Sequence, residues 1–496
     1  MKKEVAVAAA VSTAAALVGV AVLVRHYRRR SERRWRQAQA ILRKFARQCA
    51  TPAHAKLWHV ANELASDMEA ELSSTEGGGN LRMLVSYVDA PLPTGEEKGT
   101  YYGINLRGTN FLLVRATLEG KNEPVTQVKR QEVAIPSAIL MADTDSTREL
   151  CDFMALELAK FVSVHSDTDT ESQARERKLG FTVSFTMDQS PASSSIACKW
   201  NRLSVDDTVG KELTTEINKA LEKHSVNMRV PAVVYDTIGN LAGGRYYSKE
   251  SVAAVSLGQG TDVAYIESPQ QITETLNELS KSADTVIHMQ WGNFTSSHLP
   301  LTEYDISLDA ESIDPGSKIF EKLISGMYLG EIVRRVLLKM AKEAALFGDL
   351  VPPKLFTPYL LRSPDMAAMH QDISEDYGVV EDKLKEIFDI NNSTPMVREI
   401  VAEVCDVVAE RGARLVGAGI VGIVKKMGRI SNKKSVITIE GGLYEHYRIF
   451  RNYLHSSVWE MLGSELSDNV IIEHSHGGSG AGSIFLAASQ TQYAHS

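Results

Sequence analysis

Two short turns carry the residue types that chemistry on a phosphate would use. Arg107-Gly108-Thr109-Asn110 joins β-type runs at 100–106 and 110–118, and Gly258-Gln259-Gly260-Thr261 joins runs at 252–257 and 263–266. Turns of this kind offer main-chain N–H groups to an anion. Their recurrence about 150 residues apart suggests a duplicated domain with the two turns facing one another across a cleft. A purely structural reading stands beside it, because Gly-containing hairpin turns are common. His474 and His476 share one strand face, but no further metal ligand is indicated, so they read as a solvated loop. Residues 167–171 (Asp-Thr-Asp-Thr-Glu) lack the glycine and terminal glutamate of a calcium loop. Ser325 and Ser193-Ser194-Ser195 lack spaced His/Asp partners for acyl transfer.

The elements that must position the turns alternate in type. Further β-like runs fall at 179–185, 232–235, 286–290, 436–440 and 470–474, and long helical periodicity at 320–347 and 396–427. Apolar spacing over residues 38–72 places helices before the first sheet. Strand and helix in alternation give an α/β class. With 496 residues, 44% hydrophobic and 23% charged, the chain can bury more than one core. The four cysteines, Cys49, Cys151, Cys198 and Cys405, form no CxxC pair, which excludes a zinc ribbon and fits a reducing compartment.

Charge is unevenly spread. Residues 1–36 hold nine Lys/Arg against Glu4 and Glu32, although the whole chain carries −8. The body is therefore acidic, which argues against nucleic acid as a partner. Residues 5–24 are all Val, Ala, Leu, Gly, Ser or Thr. At 1.5 Å per residue, about twenty residues suffice to cross a bilayer core. Arg25, Arg28, Arg29, Arg30, Arg33, Arg34 and Arg36 follow directly, so the positive-inside bias puts the body in the cytosol. A cleaved secretory signal has a shorter apolar region, and a transit peptide interleaves Arg with Ser, so an anchor is the expectation.

Five segments carry a resemblance: Leu179-Gly-Phe-Thr-Val-Ser-Phe185, Asp236-Thr-Ile-Gly-Asn-Leu-Ala-Gly-Gly244, Trp291-Gly-Asn-Phe294, Phe320-Glu-Lys-Leu-Ile-Ser-Gly-Met-Tyr-Leu-Gly330 and Gly441-Gly-Leu-Tyr444. In this order, from about residue 36 to 490, they resemble the plant-type hexokinases, and the amino-terminal anchor resembles their membrane-anchored class on the mitochondrial outer membrane. The resemblance implies an actin-like ATPase (ribonuclease H-like) duplicated α/β fold, with a small and a large domain closing on a hexose and ATP with Mg²⁺, behind one transmembrane helix. The implied organisation is an anchor and basic flank at 1–36, a large domain at 37–97 and 236–475, and a small domain at 98–235 and 476–496.

The resemblance also assigns roles. Asp236 matches the base that takes the sugar hydroxyl's proton, and Ser184 and Glu321 match the sugar site. The first phosphate turn departs from the family's Asp-x-Gly-Gly-Thr-Asn: here Asn105 stands for the Asp and Arg107 for the first Gly, ahead of Gly108, Thr109 and Asn110. Asn105 lacks the charge that orients the metal's water shell. Arg107 is expected to crowd the phosphate space and to strain the backbone if the position needs φ > 0; the alternative is that it swings outward or clamps a phosphate. In the sugar pocket, Asn201 and Arg202 replace Thr-Lys, Tyr235 replaces the Asn before the base, Asp262 replaces Asn, and Gln290 replaces Glu. Gly258, Gly260, Thr261, Gly441, Gly442, Gly478 and Gly480 match nucleotide-facing turns, while Glu440 and Gly477 each replace an Asp. Misplacing the metal and one phosphate turn costs roughly 10²-fold each in rate. Hexokinase-like, non-catalytic members are therefore the nearest resemblance, with sensing or regulation as the expected role and an active kinase of shifted specificity as the rival.

Overall fold

The computed structural model describes residues 32–73, 81–85, 92–140, 146–165, 177–184, 207–268, 285–478 and 480–492. The expected anchor, together with Asn201 and Arg202, lies outside the described residues. Among the described residues no helix is long and apolar enough to cross a membrane. The chain separates into two compact units: one takes in the described residues up to Ala50, Pro300–Leu308 and Leu329–Ala409, and the other Thr51–Leu299, Asp309–Tyr328 and Glu410–Ser496.

Both described sheets fall in the second unit. In the first, β2 (Lys98–Leu106) and β3 (Asn110–Glu119) form a hairpin extended by β4 (Thr126–Ala134), while β5 (Arg177–Val183) runs parallel to β2 and carries β6 (Met228–Arg229) and β7 (Val233–Tyr235). The second sheet runs β1 (Met83–Val85), β10 (Thr285–Met289), β9 (Thr261–Glu267), β8 (Ser251–Leu257), β11 (Ser435–Glu440), β12 (Val470–His474). The expected hairpins thus form, with Leu106 opposite Phe111 and Leu257 opposite Thr261. Strands β8 and β11 are buried along almost their whole length, Ser251, Ser435 and Thr438 included, because both faces are covered. The Asp236–Tyr247 helix carries Gly239 against Gly482 of the Gly482–Gln492 helix, where an added Cβ would lie 2.8 Å from the Gly482 carbonyl carbon. Small residues let these two helices meet main chain to main chain, and the apolar side chains around them, Leu241, Ile484 and Phe485, close a core.

Two differences from expectation have physical reasons. Strand β4 gives no alternating pattern, since most of Thr126–Ala134 is exposed on a sheet edge. The continuous apolar periodicity of 320–347 is two helices, Ile319–Ile324 and Gly326–Ala344, because Ser325 is extended at φ −89°, ψ 155°.

In the first unit, Glu331 is fully buried and accepts from Arg334, from Arg335 at 2.8 Å and from the Tyr359 N–H at 2.7 Å. A carboxylate buried this deeply survives only when every lone pair is answered.

Candidate active site

Parallel pairing brings three distant residues together. Register puts Asn105 beside Thr182 and Val183 beside Tyr235, so β2, β5 and β7 end side by side and deliver Asn105, Ser184 and Asp236 to one corner. Ser184 Oγ donates to Asp236 Oδ2 at 2.8 Å, and Asn105 Nδ2 donates to Thr182 Oγ1 at 2.9 Å. Burial lifts the Asp236 carboxyl above the ordinary carboxylate range, against the Ser184 hydrogen bond and the Arg107 charge. Its Oδ1 is shut from solvent and makes no hydrogen bond.

Arg107 departs from the strain expectation. The left-handed residue of the turn is Gly108, at φ +80°, with nothing within 4 Å of an added Cβ, and Arg107 is not among the positive-φ residues. No backbone strain arises at Arg107, because the tight-turn conformation falls one residue later. The side chain instead folds back, Nε donating to Asn105 Oδ1 at 2.5 Å. Thr109 N–H is spent on Arg107 O, and Asn110 Nδ2 on Glu132 Oε1 at 2.6 Å.

Glu440, at the end of β11, accepts from Asn240 and is pushed up to about 8 by burial and by the Asp236 charge. Gly441 follows at φ +120°, where an added Cβ would lie 2.4 Å from Leu257 O, so only glycine lets β11 exit past the Gly258 turn. Gly442 opens the next short helix. The Gly258–Thr261 turn is clamped from the far side: Gly326 and Met327 N–H groups donate to Gly258 O and Gln259 O at 2.7 and 3.1 Å, and Trp291 Nε1 donates to Thr261 Oγ1 at 2.7 Å. Neither Gly258 nor Gly260 needs glycine sterically, since an added Cβ meets nothing at either. Gly478 and Gly480 both have positive φ, +71° and +76°.

Where the resemblance places the sugar, Tyr235, Gly260, Asp262, Gln290, Lys318 and Glu321 line one cavity of about 240 Å³. Asp262 is raised well above the usual range by burial and by the Glu321 charge, and Glu321 is itself raised by burial. Sequence reasoning missed His288, which stacks flat on Tyr235 with ring centroids 3.7 Å apart and lies 3.9 Å from Asp262. Burial holds it neutral, down to about 3. Its only signal in sequence is the strand alternation that puts it on the face of Gln290. Lys318 was also missed; it precedes the Ile319–Ile324 helix in a left-handed conformation at φ 52°.

Whether the first-turn corner suits magnesium follows from its donors. Asn105 is neutral, its oxygen is taken by Arg107, and the nearest added charge is a guanidinium. At position 105 a hydrated divalent cation finds an amide in place of an anion and a guanidinium beside it, so this position does not fit the ion.

Two family models, both described as hexokinase, match residues 41–246 and 252–489. Hexokinase-1 of Spinacia oleracea is 48% identical over 499 residues, covering 99% of each chain, and Hexokinase-1 of Arabidopsis thaliana is 48% identical over 496 residues with 99% of each covered. Among solved structures, a hexokinase from Schistosoma mansoni complexed with glucose aligns with TM-score 0.71 at 25% identity, over 91% of this chain and 99% of that one. The fold is the two-domain α/β architecture of these enzymes, and the chain belongs to the hexokinase family.

Proposed function

We propose that this chain is a hexose-binding hexokinase homologue in which glucose phosphorylation is lost or strongly impaired, acting in glucose sensing, carbohydrate homeostasis or regulation. The Asn105–Arg107 pair carries the reading. It puts a cation and a neutral amide beside Asp236, where the family's pattern has an acid and a bare turn. ATP and Mg²⁺, when bound to an active member, supply the phosphoryl group and the neutralising charge. Here Ser184 still orients Asp236, and Asp236 still holds a vacant oxygen for a hydroxyl proton. What is missing is the charge that would place the donor side of the transfer, the metal and the triphosphate.

The cavity supports retention of a hexose. A polyol both donates and accepts, so the exchange of acid and amide at Asp262 and Gln290 leaves partners for its hydroxyls. The glucose in the schistosome enzyme supports the same ligand class. Residues 5–24 are proposed as an anchor in the mitochondrial outer membrane with the body in the cytosol, and domain closure of residues 98–235 and 476–496 over the rest belongs to the same proposal.

A second reading, an active kinase of altered sugar specificity, is favoured by the intact Ser184–Asp236 bond at 2.8 Å. A coupled ADP-release assay over a hexose panel with ATP and Mg²⁺ separates the two. Turnover well below the ordinary range of roughly 1 to 10³ s⁻¹ is expected, and a rate inside that range refutes the impaired reading. Calorimetry with glucose up to roughly tens of millimolar separates a sensor, which gives a titratable heat, from a scaffold, which gives none.

A further inference from the structure

Lys318 and Glu321 line the cavity, and between them and the loop before them stands a charged side chain that does not. Lys322 follows Glu321 directly and is buried, at 4% exposure. An ammonium carries three N–H groups. All three are spent on one loop: Lys322 Nζ donates to Asp309 Oδ1 at 2.7 Å, to Asp314 O at 2.8 Å and to Ser317 O at 2.8 Å, with Asp314 Oδ1 at 3.3 Å adding a second acidic oxygen. The same acid closes the loop from its other end. Asp309 accepts the Gly316 N–H on both carboxylate oxygens, at 3.1 and 3.0 Å, and its main-chain oxygen accepts from Ser312 Oγ at 2.8 Å. A cation this deeply buried is kept by such a set of oxygens, and in return it cross-links residues 309–317 to the Ile319–Ile324 helix.

The cross-link ends at the cavity residues. Ser317, whose oxygen Lys322 takes, is followed by Lys318 at φ 52°, ψ 39°, a left-handed conformation that a residue with a side chain holds when its surroundings impose it. Lys318 O then accepts the Lys322 N–H at 3.0 Å, and Lys318 Nζ lies 3.6 Å from Asp314 Oδ2. Glu321 is confined on its other side by the main chain of Gly292, where an added Cβ would lie 2.9 Å from Glu321 Oε2. Its reach into the cavity therefore depends on the helix staying where Lys322 ties it. Charge acts in the same sense: burial raises the Glu321 carboxyl, Lys318 and Lys322 oppose the rise, and Asp314 adds to it.

We infer that Lys322 is a positioning residue for the hexose: through the loop at 309–317 it sets the pose of Lys318 and Glu321 without itself lining the cavity. The inference rests on the reading of that cavity as a hexose site and deepens it by naming what holds its carboxylate in register.

The test is calorimetry of glucose against the full-length chain in mild detergent, parent and variants side by side. Lys322→Met keeps the stem and loses the charge and the three donors; affinity is expected to fall roughly tenfold to a hundredfold. Asp309→Asn keeps an oxygen for Gly316 and loses the charge that faces Lys322; a smaller fall is expected, and this variant decides the matter if Lys322→Met does not fold. Circular dichroism and melting report folding. Lys322→Ala opens the place of the ammonium, so methylammonium, which brings both charge and N–H donors, is expected to restore part of the lost affinity, whereas tetramethylammonium, which has no donor, is expected to restore none. A parent that gives no heat with glucose sinks the hexose reading and this inference with it. A parent that binds glucose, with folded variants that bind it equally well or with the two ammonium ions acting alike on Lys322→Ala, overturns this inference alone and leaves the hexose reading standing.

Discussion

The cavity lined by Tyr235 and the corner that holds Asp236 meet at adjacent residues, yet they depart from the family's pattern in different ways. In the cavity, an acid and an amide have exchanged places at Asp262 and Gln290, and an open volume of about 240 Å³ remains between them and Glu321. At the corner, the change is one of sign: an acid has become Asn105 and a bare glycine has become Arg107. Hydroxyl groups tolerate an exchange of donors and acceptors, because each can play either part. A triphosphate with its metal does not tolerate reversal of charge, because Coulomb energy changes sign with it. In the proposed reading, hexose binding and phosphoryl transfer are therefore separable, and the difference between the two regions decides which is kept.

The largest effect that bears on this contrast is structural. Gly441 lies where the two regions abut, and Gly441→Ala would drive a Cβ to 2.4 Å from Leu257 O at a φ of +120°. A loss of about 3 kcal/mol is expected, seen as a fall of several degrees in melting temperature. An unchanged melting temperature would mean that the β11 exit and the Gly258 turn are not in fixed contact. Next in size, Tyr235→Asn removes the ring that His288 holds flat in the cavity wall. Glucose affinity by calorimetry is expected to rise about tenfold, as befits the relief of overpacking. No gain would assign the weakness of the sugar side elsewhere.

The smallest effect is a pH dependence. Native Glu440 keeps its proton up to about 8, while the unfolded chain releases it near the ordinary value of about 4.3. Between those values the native state binds more protons, so stability falls as pH rises through this window and levels off above it. Glu440→Gln is expected to flatten the fall in a series of melts. An equally steep fall in the variant would assign the dependence to Asp236, whose raised carboxyl acts with the same sign.

Much of this frame was legible in the residues. The two hairpins could be read because apolar runs bracket each Gly-Thr turn, and β11 because Val436, Ile437 and Ile439 are β-branched. Strand β4 could not, because most of its side chains face water and only Val128 and Val133 pack inward. The break at Ser325 was hidden by apolar spacing that continues across it. The meeting of residues 105, 184 and 236 comes from parallel pairing, which no local pattern encodes, so only the family resemblance pointed to it. The direction of Arg107 was illegible for another reason. It is set by a hydrogen bond to a neighbour two residues back, and the same sequence permits an outward or a phosphate-facing rotamer. His288 looked like any inward strand residue until Tyr235 was found on top of it.

The central claim is that charge at the phosphate corner, not the loss of the base or of the sugar cavity, holds transfer down. The most direct measurement is glucose-dependent ADP release by Asn105→Asp with Arg107→Gly, set against the parent chain and each single variant. The account predicts a rise of roughly 10²-fold or more for the pair, larger than either change alone. A ratio near one between the pair and the parent would contradict it and place the defect in the sugar pocket.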